Sequence, residues 1–184
     1  MFDDVLRNAF HLVVTLDADV FEYALRTLLI ALVSTVIASL IGIPIGVVIG
    51  ETNFVGKRAV VTVLNTLLAL PTVVVGLTVY MFVSSEGPLG RLGLLFTVPG
   101  IIVGEVLLIL PIVIAFTVAA VARVDRDVRK PALALGASSG QVRWLILREA
   151  RFGVLAAVIA SFGRVVSEVG VATILRGNID RFTR

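Results

Sequence analysis

LRTLLIALVSTVIASLIGIPIGVVIG, residues 25 to 50, carries one charge, Arg26, and after it nothing more polar than Ser and Thr. About 20 apolar residues in helical conformation cross the roughly 30 Å hydrocarbon core of a bilayer. A helix also satisfies its own backbone hydrogen bonds there, without water. The stretch therefore predicts a transmembrane helix. Gly42, Gly46 and Gly50 recur at every fourth position within it. A stripe of small residues lets a second helix approach closely, and packing is the preferred explanation for it.

Outward from this run, residues 59–84, 98–122 and 152–175 are also long and apolar enough to cross. The chain is 58% hydrophobic, with a mean hydropathy of +1.06, and its apolar residues come in blocks rather than mixed at short period. The expected fold is all-α: a polytopic transmembrane helix bundle with about four spans, forming a single membrane domain over 1–184. Short connections at 51–58 and 85–97 predict antiparallel neighbours for consecutive spans. Pro44, Pro71 and Pro111 fall inside spans, where they bend helices and need neighbours to re-satisfy the freed carbonyls. Before the first span, residues 1–24 are read as an N-terminal amphipathic or interfacial segment. Phe2, Val5, Leu6, Ala9, Phe10 and Val13 recur there at helical spacing.

Composition excludes several functions. There is no Cys, and the single His, His11, rules out multi-histidine metal sites. Two strings imitate enzymes. GETNFVGKR, residues 50 to 58, has one residue too many between its glycines for a phosphate-binding loop, and Arg58 stands where Ser or Thr would hold magnesium. GASSG, residues 136 to 140, matches a serine-hydrolase elbow without the strand or the His partner that elbow requires. No catalytic residue, cofactor or metal is expected, so any work needing energy must draw it from a partner.

The net charge of +3 and pI near 9.9 could suggest nucleic acid. In a membrane protein, excess Lys and Arg more often mark cytoplasmic loops, and no nucleic-acid partner is expected. The connection 123–151 holds Arg123, Arg126, Arg129, Lys130, Arg143, Arg148 and Arg151. The positive-inside rule places it in the cytoplasm together with Lys57 and Arg58. By alternation Arg7, Arg91, Arg176, Arg181 and Arg184 lie outside.

Within that connection Pro131 suits the first turn of a short helix, and Gly136 can end it in a left-handed cap. A second helix is expected from about Gln141 into the fourth span. A short, exposed, partly apolar helix is a natural knob for a groove on another protein. The alternative is a basic loop lying on anionic headgroups.

This loop resembles the signature loop of importer-type ABC transporter permeases: Glu-Ala-Ala, three residues, Gly, nine residues, Ile. Ala132, Gly136 and Ile146 hold that spacing, while Lys130 and Pro131 replace its Glu and first Ala, and Arg148-Glu149 its trailing Leu-Pro. Residues 161 to 184, SFGRVVSEVGVATILRGNIDRFTR, resemble permeases for tungstate, molybdate and related oxyanions. Phe162, Gly163, Arg164, Glu168, Val169, Gly170, Gly177, Asn178, Ile179, Thr183 and Arg184 carry that likeness, nearest the tungstate branch. Arg176 stands where those proteins commonly have a small residue. The resemblance implies a binding-protein-dependent importer subunit in the plasma membrane of a prokaryotic cell. Its implied partners are a separate ABC ATPase, an extracytoplasmic substrate-binding protein and a second permease copy. Ala132, Leu133, Leu135, Gly136, Ala137 and Ser138 would dock on the ATPase. Permeases of this kind continue with at least one more membrane helix, so the chain is expected to be a fragment.

Ser161, Arg164 and Glu168 sit in the fourth span on one helical face. A charge near the bilayer centre costs about 2.5–3.5 kcal/mol even on the mild insertion scale. Two readings stand side by side: a buried ion pair that fixes helix register, and a lining of the translocation path or its gate. Glu105 is a lesser candidate, with helix packing as its preferred role. The rival functions are a permease for molybdate, sulfate or another small solute, and a membrane assembly protein with no path.

Overall fold

The computed structural model describes residues 18–168. Its helices are α1 (Ala18–Glu51), α2 (Lys57–Leu68), α3 (Thr72–Val83), α4 (Val98–Ala134) and α5 (Ser139–Val166), with a 3-10 turn at Gly90–Leu92. The described residues contain no strand, so the chain is an all-α bundle as composition demands. The interfacial segment expected over 1–24 lies outside the described residues up to position 17, and residues 18–24 are the first turns of α1.

α1 is apolar on its outer face as well as its inner one: Leu25, Leu28, Leu29, Leu32, Leu40 and Val48 are all exposed. Soluble proteins rarely leave contiguous apolar surface on this scale, whereas hydrocarbon solvates it. α1 from Phe21 and α4 from Val98 to Val124 are each long and apolar enough to cross a membrane.

The inner face of α1 packs on α4, and the glycine stripe sets how closely. A Cβ placed on Gly42, Gly46 or Gly50 would lie within 3 Å of Val113, Thr117 or Val121. One turn or two nearer the start of each helix, the Ser34 hydroxyl donates to the Glu105 carboxylate at 2.9 Å. That pair and the three glycine contacts share one sequence offset of 71, so α1 and α4 run parallel and in a fixed register. Consecutive spans were expected as antiparallel neighbours; the glycine zipper joins the first and third long runs. Small residues at the same helical period on α1 explain the preference, because backbone proximity multiplies dispersion contacts where lipid offers no hydrophobic driving force.

A parallel pair in register requires the chain between them to return the full height of the bundle. α2 and α3 make that return over the stretch expected as the second span, 59–84, as a bent pair. They meet at 100°. Proline explains the break: Pro71 holds an extended backbone (φ −62°, ψ 131°) ahead of α3, and the residue before a proline is disfavoured in the α region.

The connection 123–151, expected as a loop with a short helix opening at Pro131 and a second from about Gln141, is almost wholly helical. α4 runs past the hydrocarbon through Pro131, which sits inside the helix rather than at its start. α5 begins at Ser139 and packs antiparallel on α4, where Gly153 abuts Ala120. The fourth span, expected over 152–175, is described as the end of α5 to Val166; positions 169–175 lie outside the described residues.

Two core clusters result. One joins Ala31, Val83, Ile101, Leu108, Val113 and Val165. The other, at the opposite end, joins Val121, Ala132, Val142, Ile146 and Ala150.

Candidate functional site

The α4–α5 turn is built from capping chemistry. Gly136 takes a left-handed conformation at φ +82°, which costs other L-residues roughly 1–2 kcal/mol. Its N–H donates to the Leu133 carbonyl at 3.0 Å, and the Ala137 N–H reaches back to Ala132 at 3.0 Å. These two bonds form a Schellman close to α4. Ala132 and Ala137 both turn into the second core cluster, the apolar contact that accompanies the motif. Two residues on, Ser138 opens α5 with a capping box: its hydroxyl accepts from the Gln141 N–H at 3.4 Å, and the Gln141 side chain accepts from the Ser138 N–H at 2.8 Å. The serine-hydrolase look-alike GASSG is thus a stop signal and a start signal side by side.

The six expected docking residues divide accordingly. Ala132 and Ala137 hold the turn down, Gly136 and Ser138 shape it, and Leu133 and Leu135 stand clear of the bundle. Leu135 is 89% exposed, an apolar side chain at a tip that the other described residues leave uncovered.

Beneath the turn, Glu51 at the end of α1 accepts from Arg143 Nε at 2.9 Å. The carboxylate is almost wholly buried, and its Oε1 has no hydrogen-bond partner. The phosphate-loop look-alike beside it is also a cap. Lys57 donates to the Gly50 and Thr52 carbonyls at 2.9 and 2.8 Å, closing the C-terminus of α1 where helix dipole and open carbonyls favour a cation. Glu51 was absent from the expected set. An acidic residue placed against the dipole at a helix end was the available signal.

At the other end of α5 the expected trio is only partly assembled. Ser161 is buried, but its hydroxyl donates to Ala157 of its own helix at 2.8 Å. Arg164 and Glu168 lie 3.8 Å apart, with Glu168 beyond the end of the helix and mostly buried, and the Arg164 side chain substantially exposed. Phe162 and Val165, flanking Arg164, pack into the first core cluster. Glu105, 3% exposed on α4, belongs to the inter-helix bond already described, in line with the packing role expected of it.

A family model for the binding-protein-dependent transport system inner membrane component matches residues 42–180. The chain belongs to that family. The match takes in the α1 glycines, the bent α2–α3 pair, the capped turn and α5. Among similar proteins, a probable anion ABC transporter permease protein of Haloferax volcanii is 38% identical over 83% of this chain and 66% of its own length. Tungstate uptake system permease proteins of Peptoclostridium acidaminophilum and Campylobacter jejuni are 34% and 38% identical. These alignments cover 97% and 98% of this chain and 78% and 76% of theirs. The importer-permease resemblance of the basic connection therefore stands on most of the chain and not on one loop. In this inner membrane component the residues of the resemblance from Val169 to Arg184 lie outside the described residues.

Proposed function

We propose that the chain is the permease subunit of an ATP-driven importer for an oxyanion, tungstate first among them. It would work as a symmetric pair with a separate ATPase and an extracytoplasmic binding protein. The observation that carries the mechanical part is the exposed turn 133–138, held by double capping between two long helices. Such a turn transmits a push without deforming, because its ends are fixed by hydrogen bonds and by Ala132 and Ala137 in the core. In this reading the turn is cytoplasmic, since the basic residues flanking it are the largest positive cluster of the chain. Closure of the ATPase moves α4 and α5 together, and through the glycine zipper α1 follows. The substrate class rests on the tungstate and anion permeases to which the chain is similar.

Leu135→Asp tests the docking without touching the fold, since the side chain is almost wholly solvent-facing. Co-purification of the ATPase is expected to drop at least tenfold with membrane accumulation unchanged. Gly136→Arg should do the same at some cost in stability from its positive φ. Undiminished association in both variants refutes the docking role.

Ser161, Arg164 and Glu168 are proposed to line the path or its gate. An anion's passage gains from positive potential, while a weak site permits release. Arg164→Gln is expected to lower uptake of tungstate about tenfold or more at normal abundance. Loss of abundance in step with uptake would assign the residue to structure instead.

A further inference from the structure

α5 presents an outward stripe that the transport reading leaves unused. Trp144, Arg148, Arg151, Leu155 and Ile159 follow one another at helical spacing, with Phe152 beside them; Trp144 and Phe152 are 61% and 69% exposed, and Leu155 and Ile159 are open as well. The opposite face, with Val142, Ile146, Ala150 and Ala157, is buried. Along the stripe the chemistry changes once, from basic and aromatic to purely aliphatic. The change falls at a definite height: Gly153 abuts Ala120, close to the point where the apolar run of α4 ends at Val124. Leu155 and Ile159 therefore lie alongside the apolar run of α4, and the stretch from Trp144 to Phe152 straddles its end.

The arginines there are already oriented. The Arg148 guanidinium stands 5.3 Å from the centre of the Trp144 ring, and that of Arg151 4.7 Å from the centre of the Phe152 ring. Stacking over an aromatic face restrains the side chain while leaving the guanidinium edge free to donate. Glu149 is on the flank of α5, where it lines a cleft against α4 with Arg123, Val124, Val128 and Leu145. No carboxylate among the described residues is paired with Arg148 or Arg151.

We propose that Trp144, Arg148, Arg151 and Phe152 form a binding surface for anionic phospholipid headgroups in the leaflet where α4 leaves the bilayer. The occupant is lipid because the stripe is continuous with an aliphatic face alongside the apolar run of α4, and because its charge complements a phosphodiester bearing net negative charge. Aromatic rings at the interface and arginines just beyond them are the side chains that this layer accommodates.

The chain has a single tryptophan, so Trp144 reports on its own surroundings. The full chain is placed in phosphatidylcholine nanodiscs doped with brominated phosphatidylglycerol or, at equal mole fraction, brominated phosphatidylcholine. Tryptophan quenching by the anionic lipid is expected to exceed that by the zwitterionic one, reflecting an enrichment of about fivefold per arginine. Replacing both arginines by glutamine should erase the difference and keep quenching by either lipid, whereas Arg148→Lys with Arg151→Lys should preserve the difference. Added inorganic phosphate should leave it in place. Equal quenching in the unmodified chain overturns the proposal. So does absence of quenching by both lipids, which means that a second copy or another subunit covers the stripe, and so does competition by free phosphate. The measurement involves neither ATPase nor uptake, so its failure leaves the transport reading standing.

Discussion

Gly46→Leu is expected to prevent the permease from accumulating as a folded protein. The first atom of any side chain at this position would meet Thr117 Cβ at 2.6 Å, Thr117 Cγ2 at 2.9 Å and the Ile114 carbonyl oxygen at 3.0 Å. Backbone oxygen cannot step aside, and Thr117 is fully buried, so α1 and α4 must separate. Separation would also stretch the buried Ser34–Glu105 hydrogen bond that ties the two helices together. Gly46→Ala, a single methyl group, should lower stability by about 1–3 kcal/mol, the usual range for overpacking. Thermal unfolding of the detergent-purified protein measures it. Gly163→Ala is the matched control. No atom of the described residues lies within 4 Å of its added methyl, and alanine is the better helix former by about 1 kcal/mol, so it should be neutral or slightly stabilising. Thr117→Gly removes the side-chain atoms that the methyl group of Gly46→Ala would strike. The double variant should therefore lose less than the two single losses combined, a coupling that distant sites do not show. Additive losses would mean that the close approach of α1 to α4 is not what the glycines serve.

The apolar blocks, the glycine stripe and the left-handed position of Gly136 were all legible because each depends on local chemistry. Hydrophobic length fixes a span, and a residue without Cβ marks a close contact or a positive φ. The partner of the stripe was not legible. Val113, Thr117 and Val121 are ordinary residues in an apolar helix, and nothing in their identity distinguishes them from lipid-facing neighbours. The break at Pro71 was half legible. A proline inside a span announces a bend, but whether the chain kinks or turns through 100° depends on what α2 and α3 find to pack on, here the flank of α4. Pro131 misled for a related reason. Proline favours a first turn, yet α4 continues through it because Val121, Val124, Val128 and Ala132 keep a buried face in step on both sides. In the turn, the Gly136 cap was readable, but the Ser138 capping box was not, since α5 was expected only from about Gln141. The Glu51–Arg143 pair was not, since ninety-odd residues of chain separate its partners.

That pair leads to an asymmetric expectation. Arg143→Ala should destabilise the protein markedly more than Glu51→Ala, although both break the same 2.9 Å contact. The reason lies in what each variant leaves behind. The Glu51 side chain is 5% exposed, already has one oxygen without a partner, and sits at the negative end of the α1 dipole. Without Arg143 it is a buried, uncompensated charge, a situation that costs about 3–5 kcal/mol when both partners are fully enclosed. Arg143 is 68% exposed, so water screens part of the interaction and the expected loss falls to about 1–2 kcal/mol. Glu51→Ala leaves behind only a solvated guanidinium and removes an acid from the wrong end of a helix, so it should lie within about 0.5 kcal/mol of the parent. The double variant should match Glu51→Ala, because once the carboxylate is gone the arginine has nothing to offset. Equal losses for the two single variants would show that the pair is held for its own attraction. Should Glu51→Ala keep its stability but import less substrate per ATP hydrolysed, the carboxylate is kept for a mechanical reason. In that case it would tie the end of α1 to the second turn of α5, so that a push on the turn at Gly136 would reach the helix carrying the glycine zipper and would account for an otherwise costly buried charge.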